Sequence, residues 1–195
     1  MTEPHEDNTA WRRQMRREML ARRASLSAGE HSERSAQIVE HLIHTFSAPR
    51  IAAFCWPIKH EPDVRAALAR WAEFGTQAAL PVVVAEATPL AFRLWLPETV
   101  LETDRYGIPS PATGAFVAPD LILLPLNGFD GAGYRIGYGG GYFDRTLAAL
   151  APRPLAIGVG FEINRLDNIH PQAHDQRLDW IVTEAGAFRP AAGTD

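Results

Sequence analysis

Residues 137 to 145 read Gly-Tyr-Gly-Gly-Gly-Tyr-Phe-Asp-Arg. Glycines in such a run let backbone N–H groups turn toward an anion with no Cβ in the way. The run follows an apolar stretch, Leu121 to Leu126, and opens into Phe143 to Leu150, whose pattern predicts a helix. A strand, a glycine loop and a helix start together make a phosphate cradle, because the helix N-terminus adds unpaired donors and a partial positive charge. Asp144, with Arg135 and Arg145 nearby, completes a set of groups suited to a nucleotide and a metal ion. The loop is not a Walker A sequence, because no Gly-Lys-Ser/Thr follows it. It is not the dinucleotide fingerprint either, because the third glycine arrives too early. The competing reading is a glycine-rich turn packed tightly for structural reasons. The flanking Tyr138 and Tyr142, and the Asp and Arg that follow, weigh against it.

Other positions carry charge or aromatic surface. Arg12 and Arg16 are one helical turn apart, so both guanidiniums project from one face. The plain alternative is a solvated basic face. Taken alone, Glu61 reads as an acid near a helix start, favoured by the helix dipole. Trp56 is either core or a ring that stacks on a flat ligand; Phe54 is core. Asp144 is a natural Mg2+ ligand beside phosphate oxygens, since Mg2+ takes hard oxygen donors from carboxylates and phosphates. The rival reading of Asp144 is an acid in the first helical turn.

These positions need elements to hold them. Trp11, Met15, Met19 and Leu20 recur at helical spacing and predict an amphipathic helix over 9–25. Ser27-Ala-Gly-Glu30 predicts a capping box starting a second helix through Ile38, Val39, Leu42 and Ile43. Ile51 to Trp56 reads as a strand ending at Pro57, and Val64 to Phe74 as a helix stopped by Gly75. Ala78–Val84 and Leu90–Leu96 read as strands, and Tyr106 to Pro111 as a loop rich in Gly and Pro. Strand 121–126, helix 143–150 and strands 155–159 and 180–182 follow, and residues 1–7 and 189–195 are expected to fray. Strands alternate with helices, so the expected fold is α/β with an open, mostly parallel sheet. Ligands of such sheets sit beyond the carboxyl ends of the strands. That edge gathers the segments after 56, 126 and 159.

The stretch Asn127-Gly-Phe-Asp-Gly-Ala-Gly-Tyr-Arg-Ile-Gly-Tyr-Gly-Gly-Gly-Tyr-Phe-Asp-Arg145 resembles the signature of the 5-formyltetrahydrofolate cyclo-ligase family. That signature runs Gly-Phe-Asp, a few residues, then Arg-Leu-Gly-x-Gly-Gly-Gly-Tyr-Tyr-Asp-Arg. Here Ile136 stands for Leu and Phe143 for the second Tyr. The resemblance covers roughly residues 9–184 and implies a single domain with a three-layer α/β fold, the sheet flanked by helices. This fold is similar to the sugar-isomerase and CoA-transferase-like group. It also implies ATP and Mg2+ as cofactors and a reduced folate as substrate.

By the same resemblance, Arg12 and Arg16 match a Lys-x-x-x-Arg pair on ATP phosphates, with Arg12 keeping the charge but changing the donor geometry. Arg135, Ile136, Gly137, Tyr138, Gly139, Gly140, Gly141, Tyr142 and Phe143 match the ATP-binding loop. Tyr138, Gly139, Gly140, Gly141 and Tyr142 also face the folate, together with Trp56 and Glu61. Glu61 matches the glutamate of a Pro-x-x-x-Glu-[Val/Ile]-x-Thr pattern, from which Pro62 and Val64-Arg65 depart. Asp144 and Asp175 match metal ligands. His174 is then a structural or outer partner, and Asp179 a support for the last strand. Arg135, Tyr142 and Asp144 are the implied catalytic residues. Phe129 is a candidate ring contact with core packing as its rival, and Phe161 and Glu162 sit at the expected ligand edge without an assigned role.

Composition sets the bounds. A chain of 195 residues, 46% hydrophobic and 22% charged, fits one soluble globular domain with a substantial core. No apolar run nears the roughly 18 residues that span a membrane, and the polar start Met1–Asn8 is unlike a secretion signal. The single cysteine, Cys55, excludes an internal disulfide framework and a multi-cysteine zinc site. The cytoplasm is the expected location. The net charge is −4, yet six of the 19 basic groups fall within residues 12–23 beside one acid, Glu18. An acidic body with one basic helix suits a local anionic partner rather than general nucleic-acid binding. No nucleic acid and no membrane are therefore expected as partners, and the chain is expected to be a monomer.

The resemblance implies an ATP-dependent closure of 5-formyltetrahydrofolate to 5,10-methenyltetrahydrofolate, yielding ADP and phosphate. Rival readings are a relative that binds folate or nucleotide without turnover, a ligase for another substrate, and a small-metabolite kinase. A hydrolase is disfavoured, since no Gly-x-Ser-x-Gly occurs. His41 and His44 are expected to face solvent.

Overall fold

The computed structural model describes residues 5–191. The chain runs α1 (His5–Ala24), α2 (Ala28–Thr45), β1 (Ile51–Ala53), α3 (Arg65–Ala72), β2 (Gln77–Val82), β3 (Ala91–Trp95), β4 (Leu101–Thr103) and β5 (Pro109–Pro111). It continues with β6 (Leu121–Pro125), β7 (Gly128–Phe129), β8 (Arg135–Ile136), α4 (Tyr142–Ala149), β9 (Leu155–Val159), a 3-10 turn (Glu162–Asn164), β10 (Trp180–Thr183) and β11 (Gly186–Phe188).

Local chemistry sets many of these boundaries. Ser27 caps α2 as expected: its hydroxyl accepts the Glu30 N–H, and the Glu30 carboxylate accepts the Ser27 N–H. Gly75, at φ 89°, turns the chain after α3. β6 stops at Pro125, which has no N–H to extend the ladder. The stretch read as a loop at 106–111 instead contributes β5, antiparallel to β4. Proline at both ends of β5 is tolerated because the two strands form a sheet of their own, with free edges.

The main sheet has the order β11-β10-β9-β6-β1-β2-β3. β10, β9, β6, β1 and β2 are parallel, and β3 and β11 close the two edges antiparallel. Alternation along the strands splits the core. Ala52, Leu121, Leu123, Ile157 and Val182 face α2 and α3 together with Ile38, Leu42, Leu68 and Trp71. Ile51, Ala53, Ile122, Leu124, Ala156 and Ile181 face the other side, with Leu147 of α4. The result is the expected three-layer, mostly parallel α/β arrangement.

β1 and β6 are neighbours, but their onward connections diverge. β1 leads through α3 to β2, and β6 leads through α4 to β9 on the opposite side. The strand order therefore reverses between them, which opens a crevice at their carboxyl ends. Helix α1 packs against this end of the molecule, contacting β7, β8 and the 3-10 turn.

Two expectations change. The inward face of α1 is not simply its apolar stripe. Arg12, Met19 and Arg23 are buried and Arg16 is half-buried, at spacings of four, three and four residues. These arginines enter because carboxylates and carbonyls meet them. The expected fraying gives way over residues 189–191, where Arg189 lies over Trp180 and Arg177 donates to the carbonyls of Pro190 and Ala191. The outer tail residues of that expectation, 1–4 and 192–195, lie outside the described residues.

Candidate active site

The hairpin of β7 and β8 delivers the chain into the glycine loop, which ends where α4 begins. Gly139 has φ 97° and Gly141, at the cap position of α4, has φ 64°. Both lie in the left-handed region that side-chain-bearing residues rarely adopt. A Cβ on Gly140 would lie 2.9 Å from the Tyr142 ring. The N–H groups of Gly139, Gly140 and Gly141 have no partner among the described residues, so the loop presents free donors of the kind that suit an anion, backed by a helix start.

Cations surround the cradle. Arg16 donates through Nε to the Gly137 carbonyl at 2.9 Å, and its guanidinium lies against Gly139. Burial and the like charges of Arg12 and Arg13 push its pKa down. Arg145 donates to the Gly140 carbonyl at 2.5 Å and covers the Tyr142 ring. Arg135 is buried. Its Nη2 donates to Asp144 Oδ1 at 2.9 Å and its Nη1 to the Gln176 carbonyl at 2.9 Å. Asp144 Oδ1 also accepts the Gln176 N–H at 3.0 Å. Burial lowers the Arg135 pKa, against the opposing pull of Asp144 and then Asp175.

Arg12 reaches across 163 residues to Asp175, with Nη2 at 2.5 Å from Oδ2. Both side chains are more than nine-tenths buried. Burial pushes the Asp175 carboxyl up, but the Arg12 hydrogen bond, the Gln172 N–H and the Arg12 charge outweigh it and leave the pKa lowered. Asp144 and Asp175 thus both act on Arg135. Three or more His, Cys, Asp or Glu side chains do not cluster as a metal cage among the described residues. Two carboxylates beside a phosphate cradle nevertheless fit Mg2+, which keeps waters and shares phosphate oxygens. Oδ2 of Asp144 accepts no hydrogen bond among the described residues.

The opposite lip of the crevice comes from the segment after β1. Glu61 is buried to 4% exposure, so it is not the solvated helix-start acid that its isolated reading suggests. Its Oε1 accepts the Tyr138 hydroxyl at 2.5 Å and its Oε2 the Ile58 N–H at 3.0 Å. Burial raises its pKa, and Tyr138, Ile58, Arg23 and Lys59 oppose that rise. Burial, then the Glu61 charge, pushes the Tyr138 phenol up. Trp56 is half-buried, edge-on to Trp95 and under the Arg65 guanidinium. Tyr106, on the turn between β4 and β5, meets Tyr142 hydroxyl to hydroxyl at 2.7 Å.

Some expected residues turn away from the cradle. The Ile136 side chain is 1% exposed and its carbonyl already accepts the Asn127 N–H, while Phe143 packs on the core. Phe129 and Phe161 are fully buried core rings, and Glu162 pairs with Arg165. His174 is exposed, 3.9 Å from Asp175. Asp179 accepts the Ala156 N–H and so supports the last parallel strands, as expected. His41 departs from its expected solvent-facing place: it is half-buried, with Nε2 3.2 Å from the Glu184 carbonyl. Sequence reasoning missed Arg23, Lys59 and Tyr106. The signal for Arg23 was present: it lies seven residues beyond Arg16, on the same helical face.

A family model described as the 5-formyltetrahydrofolate cyclo-ligase family matches residues 8–184. The chain belongs to this family. It is 28% identical over 181 residues to a 5-formyltetrahydrofolate cyclo-ligase of Haemophilus influenzae, covering 88% of this chain and 96% of that one. It is 30% identical over 136 residues to the cyclo-ligase of Mycolicibacterium smegmatis, covering 65% of this chain and 70% of the other. The NMR structure of Aquifex aeolicus 5,10-methenyltetrahydrofolate synthetase superposes with a TM-score of 0.79 at 27% identity, over 94% of this chain and 95% of the other. A synthetase from Mycoplasma pneumoniae shares the fold, with a TM-score of 0.72 at 24% identity over 89% of this chain and 98% of the other. By its family the chain is thus an enzyme of the ligase class. No described helix is long and apolar enough to cross a membrane.

Proposed function

We propose that this cyclo-ligase converts 5-formyltetrahydrofolate to 5,10-methenyltetrahydrofolate at the expense of ATP, by phosphorylating the formyl oxygen. The observation that carries the reading is the convergence at one crevice of a glycine loop with unpaired N–H groups, Arg12, Arg16 and Arg135, and two aspartates, opposite a buried glutamate. The formyl oxygen attacks the γ-phosphorus, ADP leaves, and an imidate phosphate remains on carbon. N10 then attacks that carbon and loses its proton. The C–O bond breaks and phosphate departs with the oxygen, leaving the methenyl bridge.

The protein supplies no covalent nucleophile in this scheme. It aligns the formyl oxygen with the γ-phosphate, holds the charge and excludes water. The N–H groups of Gly139, Gly140 and Gly141 receive phosphate oxygens, with Arg16 beside them. Arg135, fixed by Asp144 and Gln176, offers positive charge where it builds up during transfer. Arg12 trades part of its bond with Asp175 for a phosphate. Asp144 and Asp175 hold Mg2+, which when bound neutralises phosphate charge. Glu61, Trp56, Tyr138 and Tyr142 hold the folate.

The test is the absorbance of the methenyl product after purified protein, 5-formyltetrahydrofolate and MgATP are mixed. A rise is expected that needs both ATP and Mg2+, stops on chelation, and falls by at least about a hundredfold in Asp144→Ala. A flat trace from folded wild-type protein overturns the reading. Binding of folate or nucleotide without product would then identify a module that does not turn over.

A further inference from the structure

Arg23 is the most deeply buried charged side chain among the described residues, at 0% exposure. Its donors reach both lips of the crevice. Nε donates to the Lys59 carbonyl at 2.8 Å, Nη1 to the Leu126 carbonyl at 3.3 Å and to Asn127 Oδ1 at 3.1 Å, and Nη2 to the Tyr138 hydroxyl at 3.0 Å. Tyr138 in turn donates its hydroxyl hydrogen to Glu61 Oε1 in a 2.5 Å hydrogen bond, and Arg23 Nη2 lies 4.0 Å from that same oxygen. One guanidinium thus joins α1, the segment after β1, the end of β6 and the glycine loop. Here it is aimed, through a phenol, at a buried carboxylate. Tyr138 is 41% exposed as a residue while its hydroxyl points inward to Arg23 and Glu61.

We propose that Arg23 is a positioning residue of the cyclo-ligase: acting through Tyr138, it holds the Glu61 carboxylate ionised and oriented in the crevice, and thereby sets the affinity for the reduced folate. Arg23 touches no substrate, because it is enclosed. The inference rests on the reading above, in which Glu61 meets the folate. An ionised carboxylate only accepts hydrogen bonds, which suits the N–H donor edge of a pterin ring.

The groups that face Glu61 decide its charge. Arg23 comes from α1 and Tyr138 from the glycine loop. Lys59, Cys55 and the Ile58 N–H come from its own segment. His31 of α2 sits on the Glu61 carbonyl. Burial keeps the Cys55 thiol protonated, so it adds no charge. Burial already raises the Glu61 pKa, against Tyr138, Ile58, Arg23 and Lys59. Removing Arg23 or the Tyr138 hydroxyl lifts it further and shrinks the ionised fraction at the acid end of the working range.

The experiment compares Arg23→Met, Arg23→Lys, Tyr138→Phe and the Arg23→Met/Tyr138→Phe pair in the full-length enzyme. It follows kcat and KM for both substrates from about pH 5 to about pH 9. Arg23→Met is expected to raise the folate KM roughly tenfold or more, as loss of a hydrogen bond to a charged group does. The ATP KM changes less, and the acid limb of kcat/KM moves to higher pH. Arg23→Lys restores part of the limb position but little of the KM, because it lacks the planar fork. Tyr138→Phe moves the limb the same way, and the double variant does less than the sum of the two.

If Arg23→Met does not fold, Tyr138→Phe and Arg23→Lys carry the test. An unmoved acid limb and folate KM in those folded variants overturns the proposal, while product formation by wild type leaves the cyclo-ligase reading standing. If wild type forms no product, that reading fails on its own. A carboxyl-carbon NMR titration of Glu61 in wild type and Tyr138→Phe then reads the linkage directly: an unchanged midpoint sinks it, and a raised one supports it.

Discussion

At the scale of single residues, the site is a set of opposite charges that pair with one another. Asp175 makes this measurable. Its folded-state pKa lies below its ordinary value, because the Arg12 bond, the Gln172 N–H and the Arg12 charge exceed the burial that opposes them. An acid with a depressed pKa contributes stability above its unfolded-state pKa and loses it as pH falls through the lower folded value. Urea unfolding should therefore show Asp175→Asn less stable than wild type near neutrality. The gap should close as pH drops below the ordinary aspartate value of 3.8. A gap that stays constant across acid pH would show that the Arg12–Asp175 pair contributes no charge-dependent stability. Glu61 has the opposite sign: its raised pKa means that ionising it in the fold costs stability as pH rises through that value. A buried carboxylate that weakens the fold at working pH is what a binding site, rather than a core, retains.

Among elements, the glycine loop carries the sharpest constraint. Gly139 sits at φ 97° with the Arg16 guanidinium 3.2 Å from where a Cβ would stand. A side-chain-bearing residue held there costs about 1–3 kcal/mol. The loop is exposed, so it relaxes locally rather than unfolding the sheet. Gly139→Ala should thus lower kcat/KM for ATP by about tenfold or more with only a small drop in urea midpoint. Equal kinetics in the alanine variant would mean that the loop backbone does not meet the nucleotide. Helix α1 shows the other side of element-level design. A basic stripe would normally be solvated, yet Arg12, Arg16 and Arg23 each find oxygen acceptors on segments more than 30 residues away in sequence.

For the whole molecule, the fold is a rigid platform that brings distant segments to one edge. Leu124, at 0% exposure in the central strand β6, belongs to that platform and packs in the core with Ile122, Ala156 and Leu147. Leu124→Ala should cost about 2–5 kcal/mol in urea unfolding, while the folded fraction keeps its KM for both substrates. A large change in KM with little loss of stability would place β6 packing inside the site. The two edge strands β3 and β11 run antiparallel, so the parallel centre is covered on both sides and both faces.

Much of this was legible in the chain. The apolar runs starting at 51, 78, 121, 155 and 180 gave the parallel strands, because burial on both faces needs hydrophobic stretches, and Leu90–Leu96, broken by Arg93, gave an edge strand. Ser27 and Glu30 gave a helix start, because a capping box is purely local. The glycine loop was legible as a turn with free backbone donors, since backbone freedom is a property of the residue itself. The short strands β7, β8 and β11 were not legible, because two or three residues carry no periodicity. Nor were the pairings Arg12 with Asp175, Tyr138 with Glu61, or Arg23 with both lips of the crevice. Those partners lie 163, 77 and 115 residues apart. Sequence by itself determined which groups were available and which elements carry them. Only the tertiary structure decided which arginines leave water, because that choice depends on acceptors supplied by segments that meet only after the sheet has formed.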